Sequence, residues 1–271
     1  MINTIYARAN LLLFFAIGLG THASFAQGWT FAVGPGLTQY VGDVNNGHIG
    51  QHRMALNAEG WYYLTDNLQL KSGISVYGLR AQDTDITRLR SFRTTNVEFY
   101  SSALYYFRKG FLTPFAYAGL GATTSRPRGE SPLGNWDLRD VRPEAEKVSG
   151  LMAMIPFGVG FEYDISPMMS VVVDAAVRYV LSDQLDAVSR KAVDRQQLSP
   201  LAIDYHKSLS DNIADRLSEE GSIRGGNPAD NDWYGILSVK LRFALFSGCV
   251  NPYKYTRPLR SQRNKRNFEP I

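Results

Sequence analysis

The stretch 150–181, GLMAMIPFGVGFEYDISPMMSVVVDAAVRYVL, constrains the chain most. It reads as two strands joined by a very short turn at Ile165-Ser166-Pro167. Side chains of a strand alternate between faces with period two. In the second strand Val171, Val173, Ala175, Val177, Tyr179 and Leu181 share one wholly apolar face. Ser170, Val172, Asp174, Ala176, Arg178 and Val180 take the other, which carries an acid and a base. The first strand repeats the pattern, with Ala153, Ile155, Phe157, Val159, Phe161 and Tyr163 opposite Met154, Gly158, Gly160 and Glu162. A soluble sandwich would turn the apolar face to a core and the polar face to water. A membrane barrel turns the apolar face to lipid and the polar face to its lumen. The hairpin alone fits both, so the rest of the chain has to separate them.

Connection lengths favour the barrel. Strands are predicted at about 28–42, 53–64, 67–81, 93–108, 112–124, 150–165, 168–181 and 232–246. Their connections alternate between tight turns (Thr65-Asp66, Lys109-Gly110-Phe111, Ser166-Pro167) and long polar loops around 43–52, 82–92, 125–149 and 182–231. Short turns on one side and long loops on the other mark a transmembrane barrel of the outer-membrane kind, with the short turns periplasmic. An even strand number then puts both termini in the periplasm. The expected fold is all-β: a closed antiparallel outer-membrane barrel of about eight strands over residues 27–246. Aromatic residues near strand ends, Trp29, Tyr40, Trp61-Tyr62-Tyr63, Tyr105-Tyr106-Phe107 and Trp233-Tyr234, fit interfacial girdles. The fifth strand, FAYAGLGAT, has residues too small for its faces to be told apart.

The N-terminus agrees. One charge, Arg8, precedes a short apolar run at 11–19, and Ser24-Phe25-Ala26 offers small residues for cleavage before Gln27. Residues 1–26 therefore read as a secretory signal peptide, since the run is too short to span a bilayer. The single cysteine, Cys249, lies far from the signal, so it implies neither a lipoprotein site nor an internal disulfide. No later stretch approaches the roughly 18 consecutive apolar residues of a membrane helix.

The alternation also predicts what lines the lumen. Glu59, Glu98, Glu162 and Asp174 point inward against Lys71, Arg178, Lys240 and Arg242. An eight-strand barrel is just wide enough for side chains to fill it. Unpaired buried charges are costly, so four acids and four bases should pair across strands and plug the barrel. The segment 247–271 differs in kind: it holds Lys254, Arg257, Arg260, Arg263, Lys265 and Arg266 against Glu269, a net +5. Such a Pro-containing, non-periodic run reads as a solvated periplasmic tail able to dock on an acidic partner or anionic lipid. Nucleic acid is not an expected partner in that compartment.

Catalytic signals are weak. The mature histidines are His48, His52 and His206. The spacing in HIGQH (48–52) would suit a metal only on a helix, and Gly50 argues against one. No Gly-x-Ser-x-Gly elbow is present, and nothing assigns a triad around His206. No catalytic, cofactor or metal site is expected; a barrel-borne hydrolase or acyltransferase is the lesser alternative. The loop 182–231 is long enough to need a reason. Within it, 202–217 suggests one amphipathic helix through Ile203, Leu209, Ile213 and Leu217, a lid or contact surface.

Several segments, taken in order, resemble one family. QYVGD (39–43), TPFAYAGLG (113–121), IPFGVGFEYDIS (155–166) with VRYVLSDQLDAVS (177–189), and RGGNPADNDWYGILSVKLRF (224–243) look like the PorG-type outer-membrane barrel of the Bacteroidetes type IX secretion system. A cysteine soon after the last strand, here Cys249, is also similar. The resemblance implies a non-enzymatic component of a secretion and gliding machine that contacts a periplasmic ring of lipoprotein and ring-forming subunits. The long basic tail departs from shorter relatives. The alternative is a small structural or adhesive barrel acting through its external loops.

Overall fold

The computed structural model describes residues 28–42, 44, 51–83, 89–107, 112–166, 168–188, 192–219, 221–224 and 231–244. The signal peptide, His48, Cys249 and the whole basic tail lie outside them.

Eight long strands form the wall: β1 (Trp29–Val41), β2 (Arg53–Tyr63), β3 (Leu68–Gln82), β4 (Ser91–Tyr106), β5 (Leu112–Thr124), β8 (Leu151–Ser166), β9 (Met169–Val180) and β12 (Trp233–Phe243). All neighbours are antiparallel. The order runs β3-β2-β1-β12-β9-β8-β5-β4, and a β3–β4 pairing closes the ring. The β1–β12 ladder skips Gly34-Pro35, where proline supplies no N–H.

Burial alternates along every strand, and its sense is the reverse of a soluble core. Outside, Leu120 and Met54 are each 72% exposed, with Leu56, Phe99, Val159 and Leu237 exposed beside them; inside, Lys71 and Glu98 are 0% exposed. In water such an exterior would be a large unpaid apolar area and such an interior a costly one; in lipid both become favourable. The barrel is thus of the membrane-spanning type. The fifth strand resolves too: Thr113, Phe115, Tyr117 and Thr123 are buried, while Leu112, Ala118 and Leu120 face out.

Two of the long connections, 125–149 and 182–231, carry secondary structure of their own. The first carries the hairpin β6 (Arg128–Ser131) and β7 (Gly134–Asp137), which continues the sheet from β4, and the one-turn helix α1 (Leu138–Val141) capped by the Asp137 carboxylate. The loop after β9 holds the ribbon β10 (Ala192–Asp194) and β11 (Ser222–Arg224). Between them lie helices α2 (Pro200–Leu209) and α3 (Asp211–Glu219). The single helix expected over 202–217 is therefore two. Ser199, with Pro200 after it, caps α2, and the Ser210 hydroxyl accepts the Ile213 N–H, so that Ser210 ends one helix and starts the next. Leu209, Ile213 and Leu217 are buried and Ile203 half-buried. With Leu138, Val141, Leu185, Val193 and Tyr205 they form a core continuous with Tyr40, Tyr77, Leu79 and Phe92 at the barrel's upper end. The long-loop mouth is thereby closed by a cap.

The aromatic residues at strand ends divide by parity rather than forming a single girdle. Tyr40, Trp61, Tyr106 and Tyr234 are buried inside. Trp29 and Tyr62 pack against each other at 5.2 Å near the short-turn end, and Tyr105 and Phe107 are exposed there at 5.7 Å from one another. Trp233, also exposed, is at the other end, where β12 begins.

Candidate functional site: a sealed lumen beneath a cap

All eight inward-pointing charges expected from the alternation are buried in the lumen, and they meet in three layers. In the central layer Glu59 accepts from Lys240 Nζ (2.7 Å), Trp61 Nε1 (2.8 Å) and Tyr100 OH (2.5 Å), with Lys71 Nζ 3.5 Å away. Asp174 accepts from Lys240 (3.0 Å), Lys71 (3.4 Å), Tyr117 OH (2.9 Å) and the Ser238 hydroxyl. The Lys71 ammonium also sits 3.4 Å over the Tyr117 ring, a cation–π contact. Two acids and two bases thus form a closed quartet. Gly73 makes it possible: a Cβ there would lie 2.8 Å from the Tyr100 ring and 3.0 Å from Glu59 Cγ.

In the layer nearer the cap, Arg178 donates through Nη2 (3.0 Å) and Nε (3.3 Å) to Glu98 Oε1, and Tyr234 OH donates to Oε2 at 2.6 Å. Tyr77 stacks on Tyr234 at 4.7 Å and exchanges a 2.6 Å hydrogen bond with Thr123. In the layer nearer the short turns, Arg242 uses every N–H it has: Glu162 (2.8 Å), Tyr106 OH (2.8 Å), Thr30 (2.7 Å), Tyr63 OH (2.8 Å) and Gln69 (2.9 Å). Its guanidinium lies 4.4 Å from the Trp61 ring. Asp174 and Arg178, four residues apart on β9, each pair with other strands rather than with one another.

Of the tyrosines that complete these layers, Tyr63, Tyr106 and Tyr234 were expected from sequence in interfacial girdles and instead bond lumen charges, while Tyr100 and Tyr117 were not singled out, although Tyr100 and Tyr106 share the parity of Glu98, and Tyr234 that of Lys240. They matter because each carboxylate needs more acceptor sites filled than one cation can fill. Among the described residues Arg178 Nη1 and Ser102 Oγ are the lumen atoms left without a partner.

The cap is fastened to the barrel by a second cluster. Tyr40 OH lies 2.7 Å from Asp186 and also bonds Asp232. Asp232 accepts the Leu185 N–H at 2.8 Å, and Asp186 those of Val188 (2.9 Å) and Val44 (3.3 Å). A Cβ on Gly42 would strike the Tyr40–Asp232 contact, so this close approach requires glycine. Three of the segments noted in sequence, 39–43, 177–189 and 224–243, therefore converge at the foot of the cap. Above it, Arg90 and Glu144 form a buried 2.7 Å ion pair, and His206 Nε2 meets the Pro143 carbonyl at 2.7 Å. Burial, with the nearby Arg90 charge, holds His206 down to about 3, so its imidazole is neutral and donates that bond. Burial pushes the Tyr205 hydroxyl up to about 12. His52 is exposed and its expected neighbour His48 lies outside the described residues; among the described residues no three metal-ligating side chains gather.

No protein-family model matches the chain, and no curated protein matches it in sequence. Among solved structures it is similar to Ail, the attachment invasion locus protein of Yersinia pestis (10% identity, 80% of this chain and 99% of that one, TM-score 0.38). It is similar also to Neisserial surface protein A (11%, 80% and 96%, 0.40) and to the outer membrane protein OprG of Pseudomonas aeruginosa (9%, 80% and 97%, 0.40). Likeness at this level carries no argument about activity.

Proposed function

We propose that the chain is a non-conducting outer-membrane anchor that works through its surfaces rather than through a pore or an active site. The observation that carries this reading is the quartet of Glu59, Lys71, Asp174 and Lys240, completely buried and mutually neutralised at the middle of the lumen. Side chains fill the cross-section there, and the cap core closes the mouth above. In finer terms, the barrel is a component of a type IX secretion and gliding machine that holds periplasmic ring and lipoprotein subunits. Support for this comes from the ordered resemblance of the segments above and from the basic tail that follows β12. Deleting 252–271 tests it: the barrel should still assemble and shift on heat-modifiable gels, while ring subunits no longer co-purify and cargo secretion falls. Retained ring binding after that deletion would refute the tail's role.

A second reading is favoured by the cap, whose helices, ribbon and hairpin form a built surface on the long-loop side. On that reading the barrel is structural or adhesive. Trimming 195–219 would then abolish function while tail deletion leaves it intact.

A further inference from the structure

The outer wall carries a row of arginines just above its apolar band. On β3 and β4 the lipid-facing pairs run Ile74↔Phe99, Val76↔Val97 and Gly78↔Thr95, and the next is Arg80↔Arg93. On β6, Arg128 lies opposite Arg93. Three guanidinium side chains on adjacent strands therefore stand at one height, facing out, and Arg126 is exposed two residues below Arg128. Like charges directly opposite one another in a sheet are destabilising. One carboxylate, Glu130, bridges the first two, at 3.1 Å to Arg80 and 3.4 Å to Arg93, yet these side chains remain 45% and 41% exposed. Asp137, across from Arg128 on β7, spends its carboxylate on the Arg139 N–H. Four arginines thus face two acids.

Height selects the partner. Arg80 is four residues beyond Val76, roughly 13 Å along the strand at about 3.3 Å per residue. Strand tilt of about 35–45° shortens that to about 10 Å along the membrane normal. Half the difference between a bilayer's full and hydrocarbon thickness, about 5–8 Å, is the headgroup layer. Allowing for side chains that lean back toward the interface, the guanidinium groups reach that layer. The planar guanidinium fork matches phosphate oxygens, and strands about 4.8 Å apart present several forks side by side.

We propose that this row is a binding site for a phosphorylated lipid headgroup in the leaflet on the long-loop side, with the acyl chains along Val76, Val97 and Phe99. The inference rests on the barrel spanning a membrane and not on the secretion role.

The test uses the full chain in zwitterionic phosphatidylcholine nanodiscs doped with a bisphosphorylated glycolipid or its dephosphorylated form, with retained lipid counted by native mass spectrometry. Wild type should enrich the phosphorylated form at least about tenfold, since each basic residue near a membrane surface contributes appreciably to anion binding. The variant Arg80→Gln/Arg93→Gln/Arg128→Gln should lose that enrichment, while Arg142→Gln, an exposed arginine of the cap, should keep it. Glu130→Gln, which frees two guanidinium groups without removing any, should raise it, and this arm stands even if the triple variant does not fold. A folded triple variant with unchanged enrichment, a Glu130→Gln variant that binds less, or equal binding of soluble inorganic phosphate or a sulfated polysaccharide by detergent-solubilised protein would each overturn the proposal.

Discussion

Replacing Asp174 by Leu tests the lumen directly. Asp174 is 2% exposed and takes hydrogen bonds from Lys71, Lys240, Tyr117 and Ser238. The substitution leaves two ammonium groups facing Glu59 alone. Removing one partner of a buried ion pair costs about 3–5 kcal/mol, because the remaining charge stays desolvated. The Tyr117 and Ser238 hydroxyls lose an acceptor as well, at about 1–3 kcal/mol each if nothing replaces it. Their rotation recovers part of this, so the expected loss is about 5 kcal/mol, a large fraction of the ~5–15 kcal/mol stability of a folded domain. The double variant Asp174→Leu/Lys71→Met restores neutrality and should recover about half of that loss, since the coupled pair leaves together. Urea titration in lipid vesicles, followed by tryptophan fluorescence and the heat-modifiable gel shift, measures both. A single-variant cost below about 1 kcal/mol, or a double variant no more stable than the single, would refute the claim that these charges hold each other in place.

Further outcomes follow from particular contacts. Because His206 is held at about 3, below its ordinary 6.5, the folded cap takes up its proton less readily than the unfolded chain. Cap stability should therefore be flat above pH 6.5 and fall as pH drops from 6.5 toward 3, by up to about 1.4 kcal/mol per pH unit. His206→Asn should flatten that slope in hydrogen exchange of the α2 amides, and an unchanged slope would exclude this histidine as its source. Tyr40→Phe removes the hydroxyl between Asp186 and Asp232 and should make the 181–231 loop more protease-sensitive while the barrel stays heat-modifiable. Gly73→Val should displace Tyr100 from Glu59 and destabilise the barrel by a few kcal/mol, as overpacking does, read as a lower urea midpoint. Planar-bilayer recordings should give no steady conductance; stepwise openings would contradict a filled lumen.

Strand parity was legible in the sequence because it is a local property. Val171, Val173, Ala175 and Val177 turn out and Asp174 and Arg178 turn in whatever the partner strand, and a one-residue slip would move every one of them to the wrong side. The same alternation, with its tight turns and long connections, determined the eight strands and the eight inward charges. It did not extend to β5, where alanine and glycine leave no contrast to read, nor to the aromatic strand ends, where Trp61 and Tyr62 adjoin in sequence yet face opposite ways. Which charges meet was decided only by closure. Glu98 reaches Arg178, 80 residues away, and Glu59 reaches Lys240, 181 residues away, because the ring brings β4 across from β9 and the lumen is narrow enough for one side chain to span it. The cap lies furthest from sequence reasoning. Its helices are short and broken at Ser210, so that the periodic stretch 202–217 reads in sequence as a single helix, its hairpin β6–β7 is only four residues per strand, and its apolar residues pack on a surface that the barrel rim supplies. Local alternation set the faces of the wall; the height of the arginine row, the pairing inside and the seal above depend on contacts between distant segments, which only the closed barrel brings together.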